Sequence, residues 1–236
     1  MMSSDGSPPD KRRQQGLQMI GAGDDYDAFD KFLDHEYLMF CHSHDKRIGW
    51  ETTIMGCVYD HAGPEALWST MASVTPHYWQ HMIDVTLNGT FKEAVLEQIG
   101  GLETHGEPLE IMEDDEKVVV WMRPCGSGQF LQETRHVCEA PQKCVLCKAC
   151  PQTWNIDNFP VYCVHAPRQE ILSIKQIGWL VMVNCPLPEE RDVPGYMFAK
   201  QSCGFAVYKD PNDIPEFVYK TLGFEKPAHV EKPAKW

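Results

Sequence analysis

Hydrophobic side chains recur every three or four positions through the first part of the chain, which predicts a series of helices that each bury one face. Two helices are expected over 24–40 and 44–59. A third is predicted from Pro64 to Val74, because proline suits the first turn of a helix, where its missing N–H is not needed. For the same reason a fourth is predicted from Pro76 to about Leu87.

A fifth, short helix should open with the segment Thr90–Glu93, whose spacing is that of a capping box. The glycine pair Gly100-Gly101 is expected to end it, since glycine is a weak helix former that often follows a helix. The helical part is thus predicted to cover 24–101. It follows a polar tail at 1–23 that lacks periodicity and is expected to be disordered.

Beyond residue 107 the pattern changes to the alternation typical of strands. Leu109–Glu113 and Lys117–Arg123 should form a hairpin, and 178–184 is a continuous apolar run with the length of a buried strand. The other predicted elements are a helix over 166–175, strands over 196–199 and 204–208, and a last helix over 213–222. The predicted fold class is α+β, an N-terminal helical segment followed by a mostly antiparallel sheet.

This pattern predicts one domain over 24–223, with its sheet part at 107–223 and a Lys- and Pro-rich tail at 224–236. The sheet part contains a Cys-rich loop, 136–165, which holds five of the ten cysteines. Four of them fall within thirteen residues with the spacing C-x5-C-x2-C-x2-C. Two intervening residues let neighbouring thiolates turn toward one soft metal ion. The predicted metal ligands are Cys138, Cys144, Cys147, Cys150 and Cys163.

Zinc is the preferred ion, because four thiolates, or three with an imidazole from His136 or His165, satisfy its tetrahedral geometry without a strict spacing. The run from Cys144 to Cys150 also resembles the first three ligands of the bacterial ferredoxin pattern. Trp154 stands where that pattern has its fourth cysteine. An iron–sulfur cluster is therefore the alternative cofactor, and a labile disulfide or ordinary thiols are the remaining options.

The chain has 236 residues, of which 34 are acidic and 21 basic, and its formal net charge is -13. This surplus of negative charge argues against nucleic acid and anionic lipid as partners. No run approaches the roughly 20 apolar residues that cross a bilayer, and the first residues lack the apolar core of a signal peptide. The expected localisation is cytoplasmic, where clustered thiols more often bind metal or do redox chemistry than form structural bridges.

A second set of reactive side chains surrounds the loop. Cys125 precedes Gly126-Ser127-Gly128, so a tight turn presents it as a metal ligand, a nucleophile or a plain turn residue. Cys163 and His165 stand two apart on a predicted strand over 159–165, so they should share one face. Together with Cys125 they would leave one coordination position on a metal ion for water or substrate.

An acidic group such as Glu133 or Glu139 is expected to move the proton. The predicted catalytic residues are Cys125, His165 and Glu133.

Three polar residues on the predicted fourth helix, His77, His81 and Asp84, stand at i, i+4 and i+7 and so lie along one side of it. Two such histidines can share a metal ion. The favoured interpretation is that they lie at the edge of the buried face, hydrogen-bonded or solvated.

The first functional hypothesis is a zinc-dependent hydrolase or lyase that acts on a small polar molecule. One alternative is redox or electron-transfer activity through an iron–sulfur cluster. Another is a non-catalytic module in which the zinc-stapled loop docks onto a partner protein, which the acidic surface would favour to be basic. The oligomeric state is open, with a homodimer as one option.

Overall fold

A computed structural model describes residues 26–74, 76–105, 109–122, 125, 127, 146–157, 159–184 and 203–236. The chain divides into two compact units, Met1–Lys46 and Arg47–Trp236. The predicted tail at 1–23 and the predicted strand at 196–199 lie outside the described residues.

The first helix, α1, spans Tyr26–Ala62 and has 37 residues. The prediction of two helices over 24–40 and 44–59 is therefore wrong. No proline falls between them, and Gly49 is accommodated inside the helix. Within the described residues, no helix combines the length and the apolar character needed to cross a membrane.

Three shorter helices follow, and their starts agree with the sequence. α2 spans Pro64–Val74, α3 spans Pro76–Asn88 and α4 spans Phe91–Glu103. The capping box is confirmed, since Glu93 N donates to Thr90 Oγ1 at 3.2 Å and Thr90 N donates to Glu93 Oε2 at 2.7 Å. The expectation that Gly100-Gly101 ends α4 is wrong, because the helix runs on to Glu103.

A four-stranded antiparallel sheet confirms the α+β class. Its hairpin consists of β1, Leu109–Glu113, and β2, Lys117–Met122. A separate two-stranded sheet pairs β3, Leu146–Cys147, with β4, Phe159–Pro160. The helix α5 spans His165–Ile177.

The four-stranded sheet is completed by β5, Val183–Asn184, and β6, Cys203–Tyr208, and its strand order is β1-β2-β6-β5. The apolar run 178–184 is buried from Trp179 onward, but only its last two residues form a strand.

The last helix is shorter than the pattern predicts. A 3₁₀ turn at Pro211–Asp213 precedes α6, Glu216–Thr221. Proline disfavours a helical conformation in the residue before it, so Ile214, with ψ 124°, interrupts the predicted helix ahead of Pro215. Gly223 then ends the helix with φ 78°.

The segment after α6 has no helix or strand, yet it packs on the rest of the second unit. Val230 is buried, and its N and O atoms bond the Asn212 side chain at 2.8 and 3.0 Å. The Trp236 ring meets Trp179 and Phe91 edge to face.

Two apolar clusters cover the two faces of the sheet, because neighbouring residues of a strand point to opposite faces. Val119 and Trp121 belong to the first cluster, with α2, residues 147–164 of the Cys-rich loop and α5. Val118 and Val120 belong to the second, with α3 and α4.

A matched pair of glycine substitutions tests this packing. Gly204 of β6 pairs with Trp121, and a Cβ atom there would press on the backbone oxygen of Val120. We expect Gly204→Ala to lower the free energy of unfolding by about 2–3 kcal/mol, as other overpacking changes do. Gly49→Ala meets nothing within 4 Å inside a helix and should raise it by about 0.5–1 kcal/mol. Urea unfolding measures both, and effects of the same sign would contradict the packing described.

Candidate functional site

The segment that carries the candidate site changes structure within a few residues. After β4, a 3₁₀ turn at Val161–Val164 leads directly into α5, which begins at His165. The prediction of a strand over 159–165 is therefore wrong beyond Pro160. In a helical backbone, residues two apart point to different sides, so Cys163 and His165 do not share a strand face.

His165 holds its imidazole in a defined tautomer. Its Nδ1 lies 2.7 Å from the backbone oxygen of Tyr162. A carbonyl oxygen only accepts, so Nδ1 carries the proton and Nε2 is the basic nitrogen. Burial lowers the pKa of His165, whereas the hydrogen bond to Tyr162 and the charge of Glu51 raise it in part. A neutral imidazole with Nε2 as its acceptor atom is suited to receive a proton or to bind a metal ion.

Tyr162 links the other reactive side chains to His165. Its ring meets the His165 ring edge to face, with centroids 5.1 Å apart. Burial raises the pKa of Tyr162 well above its usual range, and a hydrogen bond between its side chain and that of Ser127 lowers it in part. The charges of Glu51, Cys163 and Cys125 raise it further, so all three lie close enough to act on the phenol.

Glu51 reaches this neighbourhood from α1. Its Oε1 accepts a hydrogen bond from Arg47 Nε at 2.9 Å, one turn earlier on the same helix. The negative charge of Glu51 raises the pKa of both Tyr162 and His165. Glu51, Tyr162 and Ser127 were not predicted as site residues. Ser127 and Tyr162 lie within two positions of predicted site residues, whereas Glu51 is more than seventy positions from Cys125.

The sheet explains why these distant segments meet. β2 leaves the sheet where β6 begins, because Met122 pairs with Cys203, and Cys125 follows three residues later. β5 ends at the same edge, since Asn184 pairs with Phe205. Asn184 Nδ2 donates to the backbone oxygen of Ala166 at 3.1 Å, which brings the start of α5 to this edge.

A buried carboxylate secures α5 in this position. Glu170 is 1% exposed and accepts hydrogen bonds from Trp154 Nε1 at 2.5 Å and from Asn184 N at 2.7 Å. Trp154 has φ 50°, a conformation that is rare for residues other than glycine. Its indole Nε1 reaches Glu170 of α5. This network fixes the helix that carries His165.

The predicted metal ligands are only partly described. Cys147 is fully buried in the first apolar cluster, and Cys150 and Cys163 pack against that cluster. The backbone between Cys147 and Cys150 is held by other groups, because Lys148 N donates to Tyr59 Oη and Ala149 N donates to Asp157 Oδ1, both at 3.3 Å. The predicted site residues Glu133, His136, Cys138, Glu139 and Cys144 lie outside the described residues.

Of the three polar residues predicted to line one side of α3, the structure describes the side chains of His81 and Asp84. His81 is exposed, and its Nε2 lies 3.4 Å from Glu97 of α4. Asp84 accepts a hydrogen bond from Gln80 at 2.9 Å. The side chain of His77 lies outside the described residues. Across the described ranges, no three His, Cys, Asp or Glu side chains lie close enough together to hold a metal ion.

The fold and site define an α+β protein with a mixed thiol, phenol and imidazole site at one edge of an antiparallel sheet. No protein-family model, curated protein or solved structure matches the chain.

The partly buried imidazole makes stability depend on pH. Because the folded-state pKa of His165 is below its ordinary value of 6.5, the unfolded chain binds more protons just below that pH, and stability must fall as the pH falls. We expect the unfolding free energy of the wild-type protein to drop below pH 6.5 more steeply than that of His165→Gln, by up to about 1.4 kcal/mol per pH unit. Urea titrations of both proteins measure this, and parallel pH profiles would contradict a neutral, buried His165.

Proposed function

We propose that the chain is a hydrolase that acts on a small polar molecule through the thiol of Cys125 and the imidazole of His165. The observation that carries this proposal is Tyr162, whose ring meets His165 edge to face and whose side chain hydrogen-bonds Ser127, two residues after Cys125. A cysteine thiol with a histidine imidazole as its base is the usual pair for thiol-dependent acyl transfer.

In the proposed reaction, Nε2 of His165 takes the proton of the Cys125 thiol. The thiolate attacks an electrophilic carbon of the substrate, forming a carbon–sulfur bond. The leaving group departs with the proton from His165. A water molecule then gives a proton to His165 and its oxygen to the carbon, which releases the acid product and the thiolate. The proton that His165 took from water then passes to the Cys125 thiolate, which restores the thiol and the neutral imidazole.

The neighbouring side chains have supporting roles in this proposal. The hydroxyl of Tyr162, whose pKa is raised by burial, stays protonated and can donate to negative charge that develops on a substrate oxygen. Ser127 is buried and bonds Tyr162, so it orients that hydroxyl. The negative charge of Glu51 favours the protonated form of the His165 imidazole.

Zinc belongs to a separate part of the proposal, in the Cys-rich loop. Cys138, Cys144, Cys147 and Cys150 have the spacing of a four-thiolate site, and a closed site of this kind would be structural. Zinc would stabilise the loop that connects β2, which is followed by Cys125, with β4. Cys163 is the alternative fourth ligand.

An acylation experiment tests the thiol mechanism. With p-nitrophenyl acetate, we expect a burst of nitrophenol of about one equivalent per chain, with the acetyl group on Cys125 by peptide mass spectrometry. Cys125→Ser should abolish the burst and retain the wild-type circular dichroism, and His165→Gln should slow it about 100-fold or more. Cys57→Ser removes another partly buried thiol, on α1, and should leave the burst intact.

A full burst from Cys125→Ser, or acetylation confined to another cysteine, would refute the assignment of Cys125 as nucleophile.

Metal analysis of protein purified without chelator tests the zinc site. We expect a colourless protein with about one zinc per chain. Cys144→Ser should lose most of the zinc, whereas Cys57→Ser should keep it. A brown protein that contains iron would favour the iron–sulfur alternative, and a folded protein without zinc or iron would contradict a metal-binding loop.

A further inference from the structure

Arg168 is a nearly buried basic residue, and no described residue is seen to bond its Nε. It lies on α5, one turn after His165, and is 8% exposed. Its Nε is inaccessible and has no hydrogen-bond partner. Among the described residues no acidic side chain forms an ion pair with it.

Such an arrangement is costly. A guanidinium stays charged at any ordinary pH, and removing it from water without a counter-charge is strongly unfavourable. Burial lowers the pKa of Arg168, and no charge from the described residues offsets this effect. A buried polar group without a partner calls for an explanation such as a strained site, an unseen ion or a bound ligand.

Of these explanations, the position of Arg168 favours a bound ligand. Residues three apart on a helix lie on the same side, so Arg168 stands next to His165 along α5. Four residues further on, Leu172 packs with Trp79 and Trp179 in the second apolar cluster. Arg168 thus lies on α5 between the candidate catalytic residue His165 and a residue of the second apolar cluster. An oxyanion is the ligand that a guanidinium at such a position would bind.

We propose that Arg168 forms an oxyanion subsite that binds a carboxylate or phosphate group of the substrate next to His165. That the anion belongs to a substrate rests on the proposed function. Anion binding itself rests on Arg168 alone. The planar guanidinium donates two parallel hydrogen bonds to either group, which makes the subsite selective for oxyanions over halides.

Thermal unfolding tests the subsite with inorganic phosphate and, separately, with acetate, each at a constant ionic strength set with chloride. We expect a saturable rise in melting temperature with one of them, roughly 3–6 °C at about ten times the dissociation constant. The anion that saturates at the lower concentration identifies the group the subsite takes. Absence of a saturable rise with either anion would overturn the proposal.

Arg168→Met removes the charge and keeps a side chain of similar length. We expect it to lose the anion-dependent rise and, without anion, to melt at the wild-type temperature or above, because the lost charge was unpaired. Lys175→Met removes an exposed positive charge on the same helix and should respond to the anion as wild type does. An Arg168→Met protein that keeps the saturable rise would overturn the proposal.

Arg168→Lys covers the case in which Arg168→Met does not fold. It keeps the charge and loses the planar fork, so the apparent dissociation constant should rise about tenfold or more. An unchanged dissociation constant would overturn the proposal. The same titration on Cys125→Ser separates the two hypotheses: anion binding should persist there even if Cys125 proves not to be the nucleophile.

Discussion

The arrangement of the site depends on one buried carboxylate. Glu170 joins α5 to the indole of Trp154 and to the backbone of β5 through hydrogen bonds of 2.5 and 2.7 Å. Hydrogen bonds to a charged group contribute about 1.5–3 kcal/mol each, and the loss of either donor would leave a carboxylate poorly compensated in the core. Glu170 therefore sets the position of α5 against the sheet, and with it the positions of His165 and Arg168.

The two buried charges of α5 differ in how the protein satisfies them. Glu170 and Arg168 are two residues apart and so lie on opposite sides of the helix. Glu170 accepts hydrogen bonds from Trp154 Nε1 and from Asn184 N, both within the protein. Arg168 has an Nε without a partner. The hydrogen bonds of Glu170 hold the fold together, whereas the open donor of Arg168 is the reason for proposing an anion there.

Tyr162 gives the candidate site its character. It is buried between a serine hydroxyl, a histidine ring and several acidic or thiol groups, and these come from α1, the end of β2 and the turn before α5. A phenol in such surroundings remains neutral, so it can donate a hydrogen bond where a carboxylate would only accept. The proposed chemistry uses this property, since a reacting thiolate places negative charge on the substrate.

Local patterns determined much of the fold. The hairpin 109–122, the capping box at Thr90 and the helices that begin at Pro64 and Pro76 were predictable, because each depends on residues close together in the chain. Local patterns failed at α1, where no proline interrupts the chain between the two predicted helices. They also failed at 161–165, where a short apolar run can form a strand or a tight helical turn.

For the site, the amino-acid pattern was enough to name Cys125 and His165 as reactive residues and to mark the clustered thiols. The fold was needed to show that Tyr162 links Ser127, Glu51 and His165, and that Arg168 is nearly buried with no bond to its Nε from the described residues. The physical reason is that burial and charge pairing depend on segments far apart in the chain. Spacing along the sequence carries no information about which of those segments meet at one edge of a sheet.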